Sequence, residues 1–578
     1  MPLAMDNLLE ISDLSLEFKQ QGEWRPVLHH LNLSLKKGET LGIVGESGSG
    51  KSVTALSVMQ LLNSRIARYP QGSILFDVQG KAVELTGCPE KEMQHLRGNR
   101  IAMIFQEPMT SLNPVLKCGK QITEQILLHT SLSGEEARKR VIELFEEVML
   151  PRPEQIFNSY PHELSGGQKQ RVMIAMAMSC HPDLLIADEP TTALDVTVQK
   201  NILALIRKLQ NRYGMSVLFI SHDLGVVAEI ADQVLVLYKG QTVEKNSIEE
   251  IFLRPQHPYT QGLLACRPSL AERPKRLPTV DDFMRAKEKH GAGAANNVSV
   301  SAEERATFHR NLYAQSPLIS IHDLNKSYPV RKQKLFEKRQ YVHALQHVSL
   351  DIFEGETLGL VGESGCGKTT LGRCLLRLIE PTSGAISYLG RNLTDLTMAQ
   401  MRHVRKDLQI ILQDPYSSLN QRLTIGDTLI EPMRVHQIGR NDDERKQKAV
   451  ALLRRVNLDE THFYRYPHEF SGGQRQRISI ARALAVNPRF IVCDESVSAL
   501  DVSVQAQVLN LLNELKEEFK LTYIFISHDL SVVRFMADRI AVMQNGRIVE
   551  LNEADTLCSH PECDYTRKLI DAIPKGIC

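Results

Sequence analysis

One block of sequence occurs twice in this chain. GESGSGKS at Gly45–Ser52 returns 317 residues later as GESGCGKT at Gly362–Thr369. FQEPMTSLN around Gln106 returns at 307 as LQDPYSSLN around Gln413, and ELSGGQKQR around Ser165 returns at 306 as EFSGGQRQR around Ser471. ADEPTTALD around Glu189 and CDESVSALD around Glu495 keep the 306 spacing, as do the ISHDL segments around His222 and His528. Repetition in one fixed order means two copies of one fold. The drop from 317 to 307 gives the first copy about ten extra residues between its lysine and its glutamine. They are expected in the loop-rich stretch Val78–Met93, where added length is tolerated. The copies cover 8–265 and 318–578. Between them, Cys266–Pro317 is rich in Pro, Gly, Ala and charge and reads as an interdomain linker. Within it, Thr279-x-x-Asp282 before FMRAKEKH with Gly291 following, and Ser301-x-x-Glu304 before RATFHRNLY, predict two short capped helices.

Charge and hydropathy narrow the function. Across 578 residues, 69 Lys and Arg against 68 Asp and Glu leave a formal net charge of +1, without the positive excess of a nucleic-acid binder. With 42% hydrophobic and 24% charged residues, disorder over most of the chain is excluded. No apolar run approaches the ~18 residues of a membrane-spanning helix; SVLFI at 216–220 is strand-sized. MPLAMDNLLE lacks a basic n-region with a long apolar stretch, so no secretory signal is expected and the cytoplasm is the default compartment. The ten cysteines lack paired Cys-x-x-Cys spacing. Cys558, Cys563 and Cys578 read as incidental thiols, with a metal or iron–sulfur site as the alternative.

Each Gly-x-x-x-x-Gly-Lys-Ser/Thr block is entered by a strand-like run, TLGIVG or TLGLVG, and left by a helix-like one, KSVTALSVMQLL or KTTLGRCLLRLI. That is the context of a phosphate-cradling loop. Gly45, Glu46, Ser47, Gly48, Ser49 and Gly50 in the first copy, and Gly362, Glu363, Ser364, Gly365, Cys366 and Gly367 in the second, form the cradle at a helix N-terminus, where the dipole favours anions. Lys51 and Lys368 are expected to reach the β and γ phosphates, and Ser52 and Thr369 to ligate Mg2+. LLIADE at 184–189 and FIVCDE at 490–495 have the form of buried parallel strands that deliver two acids to a site. Alternation assigns Asp188 and Asp494 to the Mg2+ shell, and Glu189 and Glu495 to polarising the attacking water as general bases. Ser165-Gly166-Gly167-Gln168 and Ser471-Gly472-Gly473-Gln474 each precede an apolar helical pattern and offer a second anion site at a helix N-terminus.

Phosphate loop, glutamine loop, SGGQ, twin carboxylates, Ala-Leu-Asp and Ser-His-Asp follow in this order in both copies. The constellation resembles the nucleotide-binding domain of ABC ATPases over nearly all of both units. The resemblance implies an α/β fold: two P-loop ATPase domains, each a mixed sheet with a RecA-like core plus a helical subdomain. It implies that the two domains pair head to tail within the chain, each ATP lying between one phosphate loop and the other copy's SGGQ. One site then joins Lys51, Ser52, Gln106, Asp188, Glu189 and His222 to Ser471–Gln474. The other joins Lys368, Thr369, Gln413, Asp494, Glu495 and His528 to Ser165–Gln168. By the same resemblance Gln106 and Gln413 also serve the metal, His222 and His528 contact the γ-phosphate, and Phe18 and Tyr328 stack on adenine, with Trp24 a weaker candidate. Both copies retain the glutamate and an intact SGGQ, so both sites are expected to hydrolyse ATP. The departures, Ser496 for Pro190 and Phe470 for Leu164, remove no phosphate ligand.

QEPMTSLNP, EPTTALDVTVQ, SHDLGVVAEIAD and HPYT at 257–260 look like the dipeptide, oligopeptide and nickel import subfamily. DESVSALDVS and IEPMRVH are similar to fused importer ATPases of the glutathione type, with the microcin C type next. Such a chain is peripheral on the cytoplasmic face of the bacterial inner membrane. Its partners are two integral-membrane permeases, which press on grooves beside Gln106 and Gln413, and a periplasmic or lipid-anchored solute-binding protein. The implied work is ATP-driven uptake of glutathione or other peptides, with nickel or another small solute still open. A soluble tandem ABC protein acting on ribosomes is the main alternative, but the linker lacks the dense basic helix that class carries. A DNA-repair ABC protein is expected to insert zinc-binding cysteine pairs, and none are seen.

Overall fold

Runs such as TLGIV, LLIAD and TYIFI, apolar and β-branched with no polar alternation, must be covered on both faces, which makes them interior strands of parallel sheets. A computed structural model describes residues 6–20, 22–106, 111–192, 194–270, 272–288, 301–329, 340–498 and 500–573. The first half contributes β1 (Asn7–Gln20), β2 (Glu23–Lys36), β3 (Thr40–Val44), β4 (Ala67–Val78), β5 (Lys81–Glu84), β6 (Ile101–Ile104), β7 (Leu184–Asp188), β8 (Ser216–Ser221), β9 (Gln233–Tyr238) and β10 (Gln241–Ser247). The second half contributes β11 (Ile319–Pro329), β12 (Tyr341–Ile352), β13 (Thr357–Val361), β14 (Ser383–Tyr388), β15 (Arg391–Asn392), β16 (Leu408–Ile411), β17 (Phe490–Asp494), β18 (Thr522–Ile526), β19 (Arg539–Gln544) and β20 (Arg547–Glu553).

Each half builds the same two sheets. A six-stranded sheet in the order β10-β9-β3-β8-β7-β6 is parallel except for its edge strand β10, and β20-β19-β13-β18-β17-β16 repeats it. An antiparallel four-stranded sheet, β2-β1-β4-β5 or β12-β11-β14-β15, covers one face. The expected mixed α/β architecture is therefore present twice. Between the sheets, Leu9, Leu16, Leu41, Ile43, Phe76 and Leu218 pack in one half, and Ile319, Leu324, Leu358, Leu360, Ile386 and Ile524 in the other. On the opposite, helical face a single apolar cluster runs from the first half through Leu277 and Val280 into the second. At roughly 1.5–3 kcal/mol for each fully buried Leu or Ile, this shared core is a principal bond between the halves.

The extra length of the first copy does not sit in one place. Gly72 and Gly384 occupy matching positions, each with a left-handed φ and no room for a Cβ against the backbone of β1 or β11. Gly72 lies 21 residues after Lys51 and Gly384 lies 16 after Lys368, so five residues are inserted before this point. From these glycines, Ile101 is 29 residues on and Leu408 is 24, so only the other five fall within the stretch around Val78–Met93. The earlier five are absorbed by the longer β4, 12 residues against 6 in β14, an extension that no loop signal announces.

Both short helices of the connecting stretch form, over Val280–Glu288 and Ala302–Tyr313; Gly291 lies outside the described residues. The Asp282 carboxylate accepts from both the N–H and the hydroxyl of Thr279, and Ser301 and Glu304 form a full capping box. No helix among the described residues is long and apolar enough to cross a membrane.

Candidate functional site

Lys51 and Lys368 open helices Lys51–Val58 and Lys368–Leu375 just beyond the C-terminal ends of β3 and β13. The residues before them, Gly50 (φ 106°) and Gly367 (φ 112°), turn the chain through a left-handed conformation that side chains disfavour. The loop folds back on its own lysine. Lys51 Nζ donates to the carbonyl oxygens of Gly45 (2.7 Å) and Glu46 (3.0 Å), and Lys368 Nζ to those of Gly362 (2.6 Å) and Glu363 (3.0 Å). A buried ammonium beside a helix N-terminus is an anion site.

The twin acids end β7 and β17 directly beside these loops. Ser52 Oγ donates to Asp188 Oδ1 at 3.1 Å, and Thr369 Oγ1 to Asp494 Oδ1 at 2.9 Å. Burial pushes the Asp188 carboxyl up to about 6 despite the Ser52 hydrogen bond, and burial raises Asp494 as well. Each pair thus offers buried hard oxygen donors, the donor chemistry Mg2+ takes.

Glu189 and Glu495 adopt left-handed φ values of 49° and 47°, which cost about 1–3 kcal/mol at a non-glycine residue and turn the second acid away from the first. Gln106 Nε2 donates to Glu189 Oε2 at 3.1 Å and Gln413 Nε2 to Glu495 Oε2 at 2.8 Å. His222 Nδ1 stands 3.3 Å from Glu189, and His528 Nδ1 stands 3.7 Å from Glu495. Burial opposes ionisation of Glu189, but the His222 hydrogen bond and charge, followed by Lys51, outweigh it and bring the carboxyl to about 2. His528 and Lys368 likewise overcome burial to lower Glu495. Both groups are carboxylates at neutral pH, as proton acceptors must be. The halves differ in one donor: Thr192 Oγ1 reaches the Glu189 carboxylate at 2.9 Å, whereas Ser498 Oγ donates to the Glu495 backbone carbonyl at 3.0 Å.

Ser165 and Ser471 cap helices Gly166–Ala177 and Gly472–Leu484 in capping boxes with Gln168 and Gln474. Gly167 and Gly473 press against Val198 and Val504, where a Cβ on Gly473 would come within 2.4 Å of Val504 Cγ1. No hydrogen bond joins either SGGQ to the other half's phosphate loop among the described residues. Phe18 on β1 is half-buried in the first core, and Tyr328 on β11 is exposed with Lys326 Nζ 5.0 Å from its ring centre. Arg68 covers the Trp24 ring at 4.4 Å.

Each phosphate loop does touch the other half through the residues around Ala-Leu-Asp. Ser47 N–H donates to Asp501 Oδ2 at 3.0 Å, and the Ser503 hydroxyl donates to the Glu46 carboxylate. Reciprocally, Ser364 N–H points to Asp195 Oδ2 at 3.4 Å and Thr197 Oγ1 donates to Glu363 Oε1 at 3.1 Å. A cavity of about 100 Å³ between the halves is lined by Thr192, His222, Ser498 and His528. The duplicated Ala-Leu-Asp blocks are visible in the sequence, but their reach across the interface is not.

Two further residues escape a reading along the chain. Glu46 N–H donates to Tyr259 Oη at 2.9 Å and Glu363 N–H to Tyr565 Oη at 3.0 Å, so the tyrosine of HPYT and its counterpart back the phosphate loops. The repetition of Tyr-Thr at the 306 spacing is the one signal of this role in the sequence. Tyr259→Phe leaves the Glu46 N–H without its acceptor, at about 1–3 kcal/mol for a buried group. A several-fold higher KM for ATP and a modestly lowered melting temperature are the expected outcome, checked by kinetics and thermal denaturation.

Among the described residues no group of three or more His, Cys, Asp or Glu is arranged to hold a metal ion, and Cys578 lies outside them. Burial pushes the Cys558 thiol up to about 11.

The ABC transporter family matches residues 28–192 and 345–498, and the oligopeptide/dipeptide transporter C-terminal region matches 243–293. The glutathione import ATP-binding protein GsiA of Pectobacterium atrosepticum is 47% identical over 99% of this chain and 90% of its own length. GsiA of Salmonella typhimurium is 46% identical over 98% of this chain and 90% of its own, and GsiA of Escherichia coli 47% identical over 99% and 90%.

Proposed function

This chain belongs to the ABC transporter family of ATP-binding proteins, and on that premise we propose that it is the ATP-hydrolysing subunit of an importer for glutathione or closely similar peptides. The observation that carries the reading is the end-to-end likeness to relatives named for glutathione import, with the oligopeptide/dipeptide region between the two ATPase matches. Its units are 8–265 and 318–578, joined by 266–317. Two membrane-embedded permeases and a solute-binding protein complete the importer, and the chain acts at the cytoplasmic face of the inner membrane through them.

The chain's own residues divide the chemistry. Phosphates sit on the loops Gly45–Ser52 and Gly362–Thr369, with Lys51 and Lys368 neutralising them. Ser52, Asp188 and Gln106 hold Mg2+ in one site, and Thr369, Asp494 and Gln413 in the other. When bound, Mg2+ offsets charge on the β and γ phosphate oxygens. Glu189 and Glu495 take the proton of the attacking water, held in orientation by Gln106 and Gln413 and by His222 and His528. The contacts of Gln106 and His222 with the Glu189 carboxylate, and its unusual backbone, support this role. Ser471–Gln474 close on the nucleotide of Lys51, and Ser165–Gln168 on that of Lys368; the crossed contacts of Asp501 with Ser47 and Asp195 with Ser364 support that pairing. ATP draws the halves together and hydrolysis releases them, so chemical energy becomes motion in the permeases.

Reconstitution with the cognate permeases and binding protein in vesicles tests the substrate. Glutathione is expected to stimulate hydrolysis several-fold and to accumulate with ATP. Stimulation by a nickel chelate and by no peptide would replace this substrate class with a metal one.

A further inference from the structure

Asn510 is buried midway along helix Val502–Phe519, and its amide exchanges two hydrogen bonds with a residue 233 positions away. Leu277 N–H donates to Asn510 Oδ1 at 2.9 Å, and Asn510 Nδ2 donates to Leu277 O at 2.8 Å. Leu277 is itself buried, and Val280 lies so close on Gly262 that a Cβ there would come within 2.9 Å of Val280 Cα. Gly262 belongs to helix Pro258–Ala265, which carries Tyr259, the acceptor for Glu46 N–H. At its other end, the helix of Asn510 begins with Ser503 on the Glu46 carboxylate, directly after Asp501 on Ser47 N–H. These contacts close a ring from the phosphate loop of Lys51, through helix Pro258–Ala265 and the segment 277–280, along helix Val502–Phe519, and back to that loop. Nearby, Arg273 Nη2 donates to Ala537 O at 2.7 Å, and Arg305 and Arg534 converge on Asp555, fastening the same segment to the second half.

The phosphate loop of Lys368 has a looser ring: among the described residues, the hydrogen bond that closes it is exposed to solvent. Glu363 is held by Tyr565 and Thr197, but the residue matching Asn510 in helix Val196–Tyr213, 306 positions earlier, is Ala204, which has no polar side chain to offer. That helix meets the segment beyond Tyr565 through Lys200 Nζ and Asp571 O, a 2.9 Å contact exposed to solvent.

We infer that Asn510 is a positioning residue that makes the two ATP sites unequal: it holds Asp501 and Ser503 against the phosphate loop of Lys51, so this site keeps its partner surface when nucleotide leaves. The site of Lys368 holds its partner surface less firmly, so nucleotide must complete its ordering and its observed affinity is reduced by that step. The inference rests on the composite-site reading above.

Calorimetric titration of the full chain with Mg2+ and the non-hydrolysable analogue AMP-PNP tests it. Lys368→Ala isolates the first site and Lys51→Ala the second. Asn510→Leu keeps the side-chain shape and removes both hydrogen bonds; it is expected to weaken binding about tenfold at the Lys51 site and by less than about twofold at the Lys368 site. Equal weakening at both sites, or none at the Lys51 site, overturns the inference. If neither lysine substitution eliminates a binding event, the composite-site reading fails instead. Asn510→Asp keeps the acceptor and loses the donor; an intermediate, site-selective loss is expected, and it decides the question if the leucine variant does not fold.

Discussion

Glu189→Gln combined with Glu495→Gln is expected to lower steady-state ATP hydrolysis by about 10²- to 10⁴-fold while ATP still binds. The substitution is nearly isosteric, and glutamine meets the left-handed backbone at 49° and 47° no worse than glutamate does. The amide oxygen still accepts from Gln106, Gln413 and Thr192. What is lost is the capacity to take a proton, which the wild-type side chains hold ready because His222 and His528, followed by the loop lysines, keep them ionised. Phosphate release and nucleotide titration, measured on the same preparation, separate the two effects. Near-normal turnover in the double variant would remove both glutamates from the mechanism.

Gly45→Ala and Gly362→Ala are expected to cut ATP affinity by about 5- to 150-fold at the altered site, from the ~1–3 kcal/mol of an overpacked, rigid contact. A Cβ at either position lies 2.2 Å from a main-chain oxygen, of Leu237 or Met543, which belongs to a sheet strand and has no flexible tip to swing aside. The loop itself must move, and with it the carbonyls that position Lys51 or Lys368. Gly48 and Gly365 supply the contrast, since a Cβ on them meets nothing within 4 Å and only their φ near 80° resists substitution. A nucleotide titration beside a melting curve checks the ordering; unchanged affinity in a folded Gly45→Ala protein refutes it.

Features written in contiguous residues are legible in the sequence. The phosphate loops, the paired acids and the SGGQ caps each arise from a few neighbouring residues whose local geometry dictates their chemistry, and β3, β7 and β8 follow from unbroken apolar runs. Contacts that depend on the chain returning are not legible. Tyr259 reaches Glu46 across 213 residues and Asp501 reaches Ser47 across 454, and no periodicity along the chain encodes either meeting. Five of the ten extra residues of the first copy fall outside the expected loop for a related reason. Counting between motifs gives the total, but only the register of β4 on β1 shows that half of it lengthens a strand. The connecting stretch has the composition of a spacer, while the burial of Leu277 depends on an asparagine supplied by the other half.

Carrying both copies in one chain changes what heredity can do with them. In a pair of identical subunits every substitution strikes both active sites at once, so an improvement at one is bound to its effect at the other. Here Thr192 and Ser498, Pro190 and Ser496, and Ala204 and Asn510 are separate letters. Selection can act on one stroke of the engine without disturbing the other, and the two halves are free to become specialists while remaining a matched set in every molecule made.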